Sequence, residues 1–121
     1  MTSKDLNLKL IQTIPEINDA YIKETSWQDG DDTGSHVVYS DILVPFIKEQ
    51  VAQNNENLLI RVFEYIEHLL TLTDSYANEV VALSVIETLF YDEEINNASF
   101  IKFAKPHTLQ FIKEIMKSLE E

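Results

Sequence analysis

Residues 59–70 read LIRVFEYIEHLL, and Leu59, Val62, Phe63, Ile66, Leu69 and Leu70 recur along it at spacings of three and four. That period lays the apolar side chains along one stripe of a helix and leaves Arg61, Glu64, Glu67 and His68 between them. Thr73, Asp74 and Ser75 then supply a turn and an N-terminal cap, after which Val80, Leu83, Ile86, Leu89 and Phe90 define a second stripe. A link this short makes the two helices antiparallel neighbours.

The helical period extends in both directions. Upstream, Leu6, Leu8, Leu10, Ile11 and Ile14 predict a short helix over 6–14, capped by Ser3 or Asp5. Pro15 suits the first position of a second helix, where its missing N–H needs no partner; Ile17, Tyr21 and Ile22 continue it to about Ser26. Residues 27–35, WQDGDDTGS, hold both glycines of the chain and three acids, the composition of an exposed loop. From 36 to 53, Val38, Ile42, Leu43, Phe46, Ile47 and Val51 form another stripe, with Ser35 or Ser40 as its cap. Pro45 interrupts it, and an interior proline predicts a kink, or one helix ending before it and another starting there. Downstream, 91–97, YDEEINN, is an acidic connector, and Phe100, Ile101 and Phe103 form a short apolar patch. Pro106 opens a last helix in which Leu109, Ile112, Ile115, Met116 and Leu119 are expected to face inward. No segment alternates as a strand would. The reading is all-α: one domain over 1–121, of about five to seven helices, arranged as a closed bundle or a short stack of helix pairs.

Composition agrees. A chain of 121 residues with 45% hydrophobic and 10% aromatic residues can build one core and is too apolar for a disordered segment. Only 2 glycines and 3 prolines argue against the dense turns of a β-sandwich or barrel. Without cysteine there are no disulfides, thiolate zinc sites or thiol nucleophiles. The N-terminus lacks the basic patch and apolar run of a secretory signal, and no apolar stretch approaches the ~20 residues of a membrane span, so a soluble, cytoplasmic protein is the expectation.

The formal charge of −12 comes from 21 acidic and 9 basic residues, unevenly placed. Between Glu49 and Glu94 the only cation is Arg61, whereas the last segment carries Lys102, Lys105, Lys113 and Lys117. A negative field repels phosphate, so nucleic acid and anionic membranes are not expected as direct partners, and a basic protein is. On composition alone, the charge serves solubility equally well.

Candidate functional residues follow from that field. Asp29, Asp31 and Asp32 stand in the early loop, Glu64, Glu67 and Glu87 on the two central helices, and Asp92, Glu93 and Glu94 in the connector, while Trp27 and Tyr39 flank the loop as aromatic contact anchors. Paired carboxylates can serve as acid and base, yet no nucleophile, glycine-rich phosphate loop or metal-ligand histidine spacing accompanies them. No catalytic residue, cofactor or metal is therefore expected. Residues 29–34 share with a calcium loop its alternating oxygens and a glycine in sixth place, but the twelfth position is Ser40 instead of the bidentate glutamate. His36 and His107 stand alone. Arg61 and His68 lie two turns apart on one helix face, and an arginine followed at this distance by a histidine resembles the ribonuclease motif of the HEPN helical-bundle family. That motif's polar residue after the arginine is Val62 here, and Glu64 and Glu67 on the same helix would repel RNA.

The stretch from Arg61 to Leu70, the turn Leu72 to Ser75 and the stretch from Asn78 to Phe90 also resemble a group of small bacterial helical proteins with HEAT-like helix pairs, found among immunity proteins of polymorphic toxin and contact-dependent growth inhibition systems. The resemblance covers about the last two thirds of the chain and rests on packing positions, so it carries over no binding residue. It implies an immunity protein that blocks a cognate basic toxin, a nuclease foremost, by occupying its active site. A helical adaptor binding a peptide or a helix in a groove is the alternative.

Overall fold

Thr2, not Ser3 or Asp5, begins the first helix. Its hydroxyl accepts from the Asp5 backbone N–H while the Asp5 carboxylate accepts from that of Thr2, a reciprocal capping box. Helix α1 spans Ser3–Thr13. A 3-10 turn at Pro15–Ile17 leads into α2, Asn18–Thr25. The computed structural model describes residues 1–120.

The third helix shows how Pro45 is accommodated. Residues 35–52, here α3, run as α-helix over Ser35–Val38, π-helix over Tyr39–Leu43 and α-helix again over Val44–Ala52, with right-handed helical backbone at both junctions. The Val44 N–H reaches back five residues to the Tyr39 carbonyl, so the ladder has already widened where the proline lacks its donor. The expected kink or break is thus a wide turn within one continuous helix. It ends at Asn54, whose φ of 54° is a left-handed conformation that asparagine tolerates; the Asn55 N–H then closes on the Gln50 carbonyl at 3.0 Å.

Helix α4, Glu56–Thr71, is the helix read first from the sequence; it buries Leu58, Leu59, Val62, Phe63, Tyr65, Ile66 and Leu69. Each such side chain contributes about 1.5–3 kcal/mol of transfer free energy. Asp74 caps the next helix, accepting from the Ala77 N–H at 2.9 Å. That helix, α5 (75–91), is α-helical over Ser75–Glu79, π-helical over Val80–Glu87 and α-helical over Thr88–Tyr91. The wider π turns bury Val80, Val81, Ser84, Val85 and Ile86 and leave Leu83, expected on the core stripe, 44% exposed. Helix α6 (Asn97–Ile101) begins at the Asn96 cap, and α7 is Pro106–Leu119. These are seven helices, with no strand among the described residues.

Helix α4 packs on α3, α5 and α7; the π-helical stretches of α3 and α5 also meet each other, and α7 touches α5. Contacts that skip a helix close the arrangement into a bundle around one core running from Leu6 to Ile115. Phe63 is fully buried in it, with the Phe100 and Phe103 rings stacked at centroid distances of 6.3 Å each. On α7, Ile112 and Ile115 are buried, but Met116 and Leu119, expected inward, are 48% and 60% exposed. No helix among the described residues is long and apolar enough to cross a membrane.

Candidate functional site

The early acidic loop is held from beneath by a residue absent from the sequence reading. Asn7 sits fully buried on α1 and donates both amide hydrogens, to the Asp31 carbonyl at 3.0 Å and the Thr33 carbonyl at 2.6 Å. Its oxygen lies 2.9 Å from the Ser35 hydroxyl, whose own backbone N–H is bonded to Ser3. Thr33 adds an internal tie, its hydroxyl donating to the Gly30 carbonyl at 2.7 Å, and Gly30 takes the positive φ of 58° that the turn demands. Tyr21 donates its hydroxyl to the Asp31 carboxylate at 2.7 Å; burial first, and that carboxylate second, push the phenol above its ordinary range. Asp29, Asp31 and Asp32 are exposed on this fixed backbone, and Trp27 beside them is 71% exposed.

The other nominated residues lie among different neighbours and do not form one face. Tyr39 is a correction: it is fully buried, donating to the Leu6 carbonyl at 2.8 Å and meeting the Tyr65 hydroxyl at 2.7 Å. Burial pushes the Tyr65 phenol up to about 12 and raises that of Tyr39 as well, so the pair is a neutral core bridge. Glu67 is the second correction. Its side chain is only 16% exposed and caps α7, accepting the backbone N–H groups of His107 (2.9 Å) and Thr108 (3.0 Å) and the Thr108 hydroxyl (3.1 Å). His107 Nδ1 lies 2.6 Å away. Burial works against the charge, but the two backbone donors and these side chains outweigh it and hold the carboxyl below its ordinary range. Pro106 exposes no donor there, so Glu67 satisfies the first free N–H groups of the helix and meets the positive end of its dipole.

In the connector, Lys48 of α3 pairs with Asp92 at 2.9 Å and Glu94 at 3.5 Å, while Glu93 is exposed. The Lys48 ammonium, with the Glu94 backbone N–H, keeps Asp92 below the usual carboxylate range. Glu64 lies in a cleft of about 420 Å³ with Lys9, Thr13, Arg61, Tyr65 and His68. Arg61 and His68 thus share a cavity as the ribonuclease motif would need, but the guanidinium fork is taken by Glu16 through both terminal nitrogens. A phosphate would have to displace that carboxylate. Glu87 is half-buried in a groove between α5 and α7.

Carboxylates do converge at a place the sequence reading passed over. Between α2 and α3, Ala20, Ile42, Pro45 and Phe46 floor a groove of about 190 Å³ rimmed by Glu24, Asp41 and Glu49. None of these three acids has an ion-pair partner among the described residues; Asp41 accepts from Ser40 and Glu49 from Gln53, both neutral donors. Asp41, Pro45 and Glu49 succeed one another at four-residue steps along α3, so the helix itself sets one wall. The approach of Glu24 depends on how α2 packs across it.

Among the described residues no three histidine or acidic side chains are placed to hold a metal ion. No curated protein and no solved structure matches the chain. Residues 7–119 match the family described as Domain of unknown function (DUF7674), and the chain belongs to that family.

Proposed function

We propose that this protein is a binding module for a basic protein, and specifically an immunity protein that holds a cognate basic toxin of the nuclease kind inactive in the cytoplasm of the cell that makes both. The observation that carries the reading is the α2–α3 groove, where Glu24, Asp41 and Glu49 rim an apolar floor without cations of their own, on a chain of net charge −12. Unneutralised carboxylates beside low-dielectric walls focus a negative potential, which speeds encounter with a basic surface. The floor of Ile42, Pro45 and Phe46 can then cover the aliphatic stem of an incoming lysine or arginine while the rim meets its charge. Asp29, Asp31, Asp32 and Trp27 add charge and an aromatic contact on a loop that Asn7 fixes, so less freedom is lost on binding. A nuclease must hold phosphate with lysine and arginine, and the same groups would accept these carboxylates in competition with nucleic acid. The role requires no catalysis.

Co-expression with the product of the neighbouring gene tests this. The wild-type chain should restore growth, the triple variant Glu24→Gln, Asp41→Asn, Glu49→Gln should not, and Tyr39→Phe should protect like the wild type. A neighbour without toxicity, or full protection by the triple variant, would sink the proposal.

A further inference from the structure

Helices α5 and α7 leave a second groove, of about 320 Å³, that differs in character from the acidic one. Its α5 wall presents Leu83, Glu87 and Tyr91 at four-residue steps, and its α7 wall presents Phe111, Glu114 and Ile115. The π-helical stretch of α5 gives the core Val80, Val81, Val85 and Ile86, and so turns Leu83 outward. Leu83 and Tyr91 are 44% and 53% exposed, whereas Phe111 is half-buried and Ile115 belongs to the core. Single exposed apolar residues are ordinary, whereas two exposed ones on one wall, facing the half-buried Phe111 on the other, mark a contact surface.

We infer that this groove docks a basic amphipathic helix of a partner protein. The eight residue steps from Leu83 to Tyr91 span about 12 Å of helix, two turns, which suits apolar side chains projected at i, i+3 or i+4, and i+7 from an incoming helix. Charge selects the occupant. Glu87 and Glu114 flank the apolar line from opposite walls, and neither has an ion-pair partner among the described residues; Glu114 accepts only from Gln110, at 3.4 Å. A second copy of this chain would bring the same two carboxylates against their own kind, on molecules that each carry −12. An amphipathic helix edged with lysine or arginine satisfies both walls and covers Leu83, Tyr91 and Phe111. This surface stands independently of the immunity reading.

The test uses the full chain, labelled at leucine and isoleucine methyl groups, titrated with a synthetic leucine–lysine peptide of about four turns whose leucines form one face. A scrambled peptide of the same composition, without a face, is the control. The amphipathic peptide should bind at least tenfold more tightly than the scrambled one, and the Leu83 and Ile115 methyl signals should shift first. Leu83→Asp, a change at an exposed position, should lose at least tenfold in affinity with the helical circular dichroism unchanged. Glu87→Lys with Glu114→Lys should transfer the preference to a leucine–glutamate peptide. Equal binding of both lysine peptides, shifts confined to other surfaces, or sedimentation of the wild-type chain as a dimer that Leu83→Asp converts to monomer would overturn the inference.

Discussion

Asn7 offers the most direct test of how the acidic loop is built. Replacing it with alanine removes the two hydrogen bonds it gives to the Asp31 and Thr33 carbonyls and the one its oxygen shares with Ser35, all against a fully buried side chain. At about 1 kcal/mol net per bond the loss is about 3 kcal/mol. For a domain of this size that corresponds to a fall of about 10–15 °C in Tm. Asn7→Asp separates donor chemistry from packing, since it keeps the shape but sets an oxygen where the amide nitrogen gives to two carbonyls. It should be at least as destabilising as alanine at pH 7, and should recover toward the wild type as the new carboxyl is protonated. Urea unfolding with the pH varied gives the magnitudes, and amide exchange over residues 29–35 gives the location. Near-wild-type stability of both variants, or destabilisation without faster exchange in that loop, would refute the clamp.

Three further outcomes follow from the same geometry. Glu67 has its carboxyl held below the ordinary value of 4.5, so its stabilisation is present above that pH and lost as the pH falls through the lower folded-state value. Glu67→Gln should therefore flatten the fall in stability below about pH 4.5, and at neutral pH should speed amide exchange at His107 and Thr108. Tyr39→Phe should cost about 1–3 kcal/mol in urea unfolding through the lost bonds to Leu6 and Tyr65, while leaving capture of a basic partner unchanged. Lys48→Met should leave the urea-unfolding midpoint close to that of the wild type, as exposed ion pairs do, yet raise the association rate by freeing Asp92 and Glu94.

The α4 stripe was legible because Leu59, Val62, Phe63, Ile66, Leu69 and Leu70 sit at helical spacing on one face, with Ile60 alone turned to the exposed side. The Asp74 cap was legible for a local reason too: the donor lies three residues on. What failed is tertiary. Tyr39 flanks the loop in sequence, but its place on α3 turns it under α1, where it finds Leu6. Glu67 looks like a surface charge until Pro106 brings the start of α7 over it. Leu83 left the core stripe because a π-helical stretch changes which positions share a face, a change the sequence period did not announce. Asn7 did leave a trace: a polar residue three before Leu10, on the buried stripe of α1, needs a buried partner. Of the acidic groove, the steps Asp41, Pro45 and Glu49 were there to be read, but Glu24 joins them only through packing between helices.

In the proposed complex, unneutralised carboxylates steer a basic partner onto the α2–α3 groove. The association rate constant with the neighbouring gene's product, by stopped flow between about 25 and 300 mM salt, tests this. The rate should fall at least tenfold across that range, and Glu24→Gln, Asp41→Asn, Glu49→Gln should start lower and fall less. A rate indifferent to salt, or identical in the wild type and the triple variant, would contradict the account.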